Sequence, residues 1–431
     1  TKSTTADNGT TVSRLQRVRE DPEGVRAMLA ARHFEAPLDR LLELDAKVRL
    51  LQSEKEQLQA ERNKASKGGP PTDAVRTRMR DVGDRIKEID AELQPLMQER
   101  DDAALWIPND VAPDVPPGKD EHDNTVLRED SKRELDFEAK PHWEVGEALG
   151  ILDIPRGAKL AGSRFYVLRG AGAALQRALI AWMIDLKIEA GFTEIYPPFV
   201  TRKETLLASA HLPHFDENLY RDDDDDIWLI PTAETQLISL HRDETIPVER
   251  LPIRYVAYTA CFRREKMSAG RDVRGIKRGH QFDKVEMVVL TKPEDSAAEL
   301  LHLTDLAVQV LEKLELPVRV VERCAGDLGF VAMRGFDVET WSPGVKEWLE
   351  VSSCSDGGSL QAERAAIRFK RDKAAKVEHP HILNASGLAL PRLMISIIEN
   401  YQQADGSLVI PKPIREYMRG RERIAPGEFA L

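Results

Sequence analysis

Cysteine is scarce in this chain. There are three in 431 residues, Cys261, Cys324 and Cys354, an odd number without a C-x-x-C pair. That pattern argues against a disulfide framework, gives no reason to expect zinc, and fits reduced thiols in a cytosolic setting. No apolar run approaches the roughly 20 residues that cross a bilayer, so no membrane association is expected. The opening stretch, T-K-S-T-T-A-D-N-G-T-T, is polar, lacks the apolar core of a signal peptide and is expected to be disordered. Net positive charge is also missing. Against 62 Lys and Arg stand 73 Asp and Glu, a balance of −11. A generally basic nucleic-acid coat is thereby excluded, and any polyanion site has to be a local patch. The chain shows no internal repeat, and it lacks the strand-helix-strand alternation of a doubly wound sheet.

What is present describes a globular chain of two or three domains, 42% hydrophobic and 31% charged. The first hundred or so residues are helical in pattern. Leu44, Leu51 and Leu58 recur every seven residues, with Leu41 and Val48 between them. After Gly68-Gly69-Pro70-Pro71 the spacing of Val75, Met79, Val82, Ile86, Ile89, Leu93 and Leu96 alternates between four and three, the a/d seam of a coiled coil. Two such helices with a short turn between them fold back as an antiparallel hairpin, each about 40 Å long. Pro95 is expected to bend or end the second helix. The hairpin tip gathers Arg62, Lys64, Lys67, Arg76, Arg78 and Arg80 around one acid, Asp73. Converging cations there suit a phosphate backbone, with a partner protein as the alternative. A Pro- and Gly-rich stretch follows, giving a division into 1–106 as the arm, 107–130 as a linker and 131–431 as the second domain.

In that second domain, 174–189 has the apolar stripe of a helix, stopped by Gly191, and 192–196 then forms a strand ending at Pro197-Pro198. Strands are expected at 255–262 and 282–290, with less distinct ones at 336–341 and 348–351, and a buried helix at 388–401. The run 222–226, five aspartates, is expected as a solvated turn, because consecutive loop residues point in different directions. Between the first two strands lies a long loop carrying Arg263, Arg264, Lys266, Arg271, Arg274, Lys277 and Arg278, punctuated by Gly270, Gly275 and Gly279. Loops of that length are commonly functional, glycines let backbone bend around a ligand, and arginine forks match phosphate oxygens. A nucleoside triphosphate is a reasonable ligand for it, with a mobile basic surface loop as the alternative.

Four fragments in order carry a resemblance. F-R-R-E, S-A-G-R-D-V-R-G and H-Q-F-D-K-V-E within 262–286 resemble motif 2 of the class II aminoacyl-tRNA synthetases in its seryl form. P-T-A-E at 231–234 resembles the serine-site loop, E-V-S-S-C-S at 350–355 the next element, and N-A-S-G-L-A-L-P-R at 384–392 motif 3. The helix and strand ending at Pro197-Pro198 resemble motif 1. With the arm included, the chain from about Arg14 to Met418 is similar to the bacterial type of seryl-tRNA synthetase. Four positions at three sites depart from the family pattern: Ala385 for a glycine, Leu390-Pro391 for Val-Gly, and Glu363 for an arginine. Lys266-Met267-Ser268 echoes part of the K-M-S-K-S loop of the Rossmann-type synthetases, but the H-x-G-H element that goes with it is absent.

The resemblance implies an α+β fold: an N-terminal antiparallel coiled-coil hairpin, then a class II catalytic domain with a mainly antiparallel sheet flanked by helices. It implies serine, ATP with Mg²⁺, and serine tRNA as ligands, selenocysteine tRNA as a further acceptor, a homodimer through motif 1, and a cytoplasmic or organellar setting. Arg263, Arg392 and Glu350 take the catalytic positions. ATP falls to Arg263, Arg264, Glu265, Arg271, Phe282, Glu350, Val351, Ser352, Ser353 and Arg392, and Mg²⁺ to Glu350 and Ser353. Serine falls to Thr232, Ala233, Glu234, Glu286 and Ser386. The tip cations Arg62, Lys64, Lys67, Arg76, Arg78 and Arg80 fall to tRNA. Taken singly, most of these residues have plainer readings: Thr232 as a helix cap, Phe282 as core, Glu286 as a surface strand residue. A catalytically inactive RNA-binding or scaffold protein, and a ligase acting on a carrier protein, are the competing functions. The complete set Arg263, Glu265, Glu350 and Arg392 disfavours the first, and the long arm disfavours the second.

Overall fold

The computed structural model describes residues 9–66, 72–266 and 274–429. The Gly-Pro turn of the hairpin, most of the polar opening stretch, Lys67 and Arg271 lie outside the described residues. The chain divides into two compact units, Thr1–Pro108 and Asn109–Leu431.

Four helices build the first unit: α1 (Gly9–Glu20), α2 (Pro22–Ala31), α3 (Leu38–Ala65) and α4 (Asp73–Ala104). The last residues of the polar opening are therefore helical, not disordered as expected. The heptad positions are the buried ones. Leu41, Leu44, Val48 and Leu51 of α3 and Val82, Ile86, Ile89 and Leu93 of α4 are all covered, and Val48, Leu51, Ile89 and Leu93 form one cluster. Pro95 does not end the helix, one of the two outcomes expected of it: α4 continues past it to Ala104. Proline removes one backbone donor, a loss of about 3 kcal/mol in a helix interior. Here the following turn is held by packing: Arg100, Ala103 and Ala104 are buried, and α4 also touches α1. Asp45, almost fully covered, takes Arg19 and Arg49 as ion-pair partners, so this interior carboxylate is compensated.

An eight-stranded sheet organises the second unit. Its strands are β1 (Thr125–Glu129), β2 (Thr193–Glu194), β3 (Ile253–Phe262), β4 (Gln281–Thr291), β5 (Val318–Glu322), β6 (Arg334–Ser342), β7 (Glu347–Asp356) and β8 (His381–Ala389). The spatial order is β1-β5-β6-β7-β8-β4-β3-β2, antiparallel throughout except for the two-residue edge strand β2, which runs parallel to β3. The expected pairing of the two strands around the basic loop is present, with Phe262 opposite Gln281 and Ala257 opposite Glu286. The expected linker is different: Thr125–Glu129 is an edge strand of the sheet. Just upstream, the buried Asn109 amide donates to the carbonyls of Val331 (2.8 Å) and Gly357 (2.7 Å).

Helices α5 (Ala171–Glu189), α7 (Ser296–Lys313) and α8 (Leu390–Tyr401) cover one face of the sheet. Strand alternation assigns Val285, Met287 and Val289 of β4 to that apolar interior, and the even-numbered residues Phe282, Lys284 and Glu286 to the opposite face. The short helix α6 (Glu234–Ser239) lies on that second face against β4. The aspartate run is a turn between the short strands Arg221–Asp222 and Ile227–Leu229, as expected. All three cysteines are buried and free. Among the described residues no helix is long and apolar enough to cross a membrane.

Candidate functional site

A cavity of about 460 Å³ opens on the second face of the sheet. Three strands supply its floor, and two β-bulges decide which residues reach it. On β4 simple alternation presents Phe282, Lys284 and Glu286. On β8 the register shifts opposite Val285 and Glu286, leaving Gly387 as the extra residue, so that Asn384, Ser386 and Ala389 all reach the cavity. A side chain at 387 would stand 3.1 Å from Val285 Cγ1. On β7 the shift falls at Val351, between Glu350 opposite Glu339 and Ser352 opposite Val338. Glu350, Val351 and Ser353 therefore line the cavity, while Ser352 turns away and donates to the Ser386 carbonyl (2.6 Å).

Arg263 and Glu265 follow the end of β3. Both line the cavity, and Glu265 has φ of 50°, a conformation that turns its side chain back. The segment is pinned to the buried Asn218, whose carbonyl accepts from Arg264 N (2.9 Å) and whose side-chain oxygen accepts from Lys266 N (2.9 Å). Arg264 itself points elsewhere, with its guanidinium 5.8 Å from the Tyr220 ring. The returning limb of the loop is equally fixed. Gly275 (φ 74°) sits where a Cβ would lie 2.0 Å from His142 Nε2, and that nitrogen accepts from Ile276 N (3.1 Å). Beyond it Lys277, paired with Glu347, and Arg278, 3.8 Å from Glu265, reach the cavity wall.

At one end of the cavity lies a network of buried carboxylates. Glu234 accepts from the Gln361 amide (2.6 Å) and from Asn384 Nδ2 (3.0 Å), and Asn384 also stands 3.4 Å from Glu286. The Lys284 ammonium is 2.6 Å from Glu286. Burial raises the pKa of both Glu234 and Glu286, and Lys284 pulls each back. The Thr232 hydroxyl accepts from Glu234 N–H (3.3 Å), so the capping role and the cavity position coincide. Ala233 is packed in the apolar cluster of Leu237 and Ile238, away from the cavity.

Two guanidinium groups line the same cavity. Arg263 donates to the Pro231 carbonyl (3.3 Å) and lies 5.2 Å over the Phe282 ring. Arg392, at the start of α8, donates to the Glu350 carbonyl (2.7 Å) and is 3.2 Å from its carboxylate. Loss of water pushes Glu350 up, but Arg392, Arg323 and Arg263 together hold it below its ordinary value. An aromatic face, two guanidinium groups and a hard carboxylate beside a serine hydroxyl can accommodate a nucleotide with its phosphates.

Of the expected residues, then, Thr232, Glu234, Arg263, Glu265, Phe282, Glu350, Val351, Ser353, Ser386 and Arg392 line one cavity, with Glu286 buried in its floor. Ala233, Arg264 and Ser352 do not reach it, for the reasons given. Lys284, Asn384, His211 and Gln361 were missed. The first two stand two positions from Glu286 and Ser386 on the same strand faces, so period-2 alternation was an available signal. His211 and Gln361 arrive from distant segments and had none. Of the departures, Ala385 packs in the core and leaves the site untouched, while Pro391 lines the cavity beside Arg392. On the arm, Arg78 is paired with Glu61 (2.8 Å) and Arg76 with Asp73 (3.2 Å). Among the described residues Arg62, Lys64 and Arg80 have no such partner.

Comparison with known proteins bears on the whole chain. Residues 14–111 match the seryl-tRNA synthetase N-terminal domain, and residues 215–401 the class II core domain of the tRNA synthetases (G, H, P, S and T). A serine–tRNA ligase of Thermomicrobium roseum is 52% identical over 418 residues, covering 95% of this chain and 94% of the relative. That of Chloroflexus aurantiacus is 50% identical over 420 residues, 96% and 99%. The crystal structure of seryl-tRNA synthetase from Pyrococcus horikoshii complexed with ATP superposes with a TM-score of 0.90 at 36% identity, covering 96% of this chain and 99% of that one. The cytoplasmic serine–tRNA ligase of Naegleria fowleri in complex with AMP gives 0.84 at 30% identity, over 95% and 96%. With a helical arm, an antiparallel catalytic sheet and near-complete alignment at half identity, the chain belongs to the seryl-tRNA synthetase family of class II aminoacyl-tRNA synthetases.

Proposed function

We propose that this protein is a serine–tRNA ligase, which activates serine with ATP and passes the seryl group to the 3′ end of serine tRNA. The observation that carries the reading is one cavity lined by Arg263, Arg392 and Glu234, with Glu286 buried in its floor. In the first step a serine carboxylate oxygen bonds to the α-phosphorus of ATP as the bond to pyrophosphate breaks. In the second a terminal ribose hydroxyl attacks the acyl carbon and AMP leaves. The attacking carboxylate is already an anion, so the first step needs alignment and charge stabilisation in place of a base. Glu234 and Glu286 hold the ammonium, and Thr232 and Ser386 offer hydroxyls to the substrate. Phe282 gives the adenine a face once Arg263 moves from it to the α-phosphate. Glu265 reads the adenine edge, and Arg392 neutralises the outer phosphates. Glu350 and Ser353, hard oxygen donors lining the same cavity, would hold Mg²⁺, which would supply further neutralisation of phosphate charge.

Among the described residues Arg62, Lys64 and Arg80 are the tip cations free to meet tRNA phosphates, and shape and phosphate recognition suit a long RNA arm. A homodimer through α5 and the segment ending at Pro198 is supported by exposed apolar groups there, Ile188 and Tyr196, the latter 82% exposed. A role in translation fits residence in the cytoplasm, with an organelle as the alternative. Pyrophosphate exchange across the twenty amino acids tests the reading: serine alone should drive it, and Arg263→Ala should lower its rate about 10²- to 10³-fold. Exchange driven by another amino acid, or full exchange by the variant, would overturn it.

A further inference from the structure

His211 lines the cavity, and neither its segment nor its residue type drew notice in the sequence. Two buried groups fix its place. Gln361 donates both to the Ser209 carbonyl (2.9 Å) and to Glu234 (2.6 Å), tying the 209–211 turn to the carboxylate network. The His211 backbone N–H donates to the Leu206 carbonyl (2.9 Å), and its ring meets Phe215 at 5.9 Å.

The hydrogen-bond network assigns the tautomer. His211 Nδ1 is 3.0 Å from Ser209 Oγ, and the Ser209 carbonyl is also within the ring's reach. The Ser209 hydroxyl has an outlet for its own proton at the Leu206 carbonyl (3.3 Å). Nδ1 thus faces acceptors and carries the hydrogen, which leaves Nε2 with a bare lone pair. No protein donor meets Nε2 among the described residues. Burial, with the charges of Arg263 and Lys284, pushes the imidazole down to about 3, so it stays neutral at any working pH. The cavity therefore contains a neutral acceptor beside two anionic ones. An ammonium is better served by Glu234 and Glu286, and Arg263 and Lys284 make a further cation at Nε2 unfavourable. A hydroxyl is a neutral single donor and suits it.

We propose that His211 is a specificity-determining residue of the amino-acid subsite, its Nε2 accepting a hydrogen bond from the side-chain hydroxyl of the substrate. This rests on the serine–tRNA ligase reading. An acceptor placed for a hydroxyl penalises an analogue with a methyl group there, because the acceptor is left unpaired.

The test is pyrophosphate exchange with wild type, His211→Phe and His211→Gln, measuring the KM for serine, the Ki of alanine as a competitor and the KM for ATP. His211→Phe should raise the serine KM about tenfold, the worth of one such hydrogen bond, and leave the alanine Ki unchanged. His211→Gln, which keeps an acceptor, should stay within about twofold of wild type. The ATP KM should hold in both and reports an intact site. Equal rises for serine and alanine, or an unchanged serine KM in His211→Phe, would overturn the inference. Failure of the wild-type protein to exchange with serine would overturn the underlying reading instead.

Discussion

Lys187 gives a sharp test of the second unit's interior. It lies on α5, fully buried, with its ammonium donating to the Leu306 carbonyl of α7 (2.6 Å). Burial lowers its pKa from 10.5 to about 7, with a small opposing effect from Cys354. The folded state binds this proton less tightly than the unfolded chain, so stability rises with pH between those two values. The cost is fully present below about pH 7 and disappears as the pH climbs past 10.5. As proton linkage it amounts to about 4 kcal/mol at pH 7 and about 1 kcal/mol at pH 9.5. Lys187→Met keeps the length and removes the charge, at the loss of one hydrogen bond of about 1 kcal/mol. The variant should gain about 3 kcal/mol at pH 7 and close to nothing at pH 9.5. Urea denaturation followed by tryptophan fluorescence at both pH values measures this. An equal gain at both, or a variant less stable at pH 7, would refute the assignment of Lys187 as a charge buried at a cost.

Two further predictions concern the site and the arm. Because burial raises Glu234 and Glu286, each takes up a proton above the ordinary carboxylate range near 4.3, and the serine KM should begin to climb on acidification before the pH falls into that range. Glu234→Gln should raise that KM throughout and flatten the climb; a KM constant until the pH enters the ordinary carboxylate range would contradict the raised pKa of both groups. Replacing Arg62, Lys64 and Arg80 together with alanine should weaken tRNA binding and make it less salt-dependent while leaving serine-dependent exchange intact. Arg78→Ala, which breaks an existing pair with Glu61, should matter less for binding; an unchanged salt slope in the triple variant would remove the tip from the tRNA contact.

Much of this was legible because the signals are local. The heptad seam of α3 and α4 is a one-dimensional pattern, and every heptad residue from Leu41 to Leu51 and from Val82 to Leu93 is buried. The strands flanking the basic loop were found by β-rich composition, and they pair as expected. Pro95 does not terminate α4 because helix propensity is a local term, while the turn beyond it is held by tertiary burial of Arg100, Ala103 and Ala104. Thr125–Glu129 read as linker because all five residues are exposed and polar-flanked; only β5 makes it a strand. Ser352 and Arg264 were placed in the site by their neighbours in sequence, and a bulge and a strand end turned them out of it.

The sequence by itself determined the arm, the order of the four catalytic fragments, and the concentration of cations in an acidic chain, since each depends on residue type and spacing along one strand or helix. Only the tertiary structure decided which atoms share the cavity. Two bulges set the facing of β7 and β8, Gln361 binds the 209–211 turn to Glu234 from 127 residues away in sequence, and Lys187 meets α7 across the core. Those are consequences of where separate segments come to rest against one another, and no pattern along a single segment encodes them.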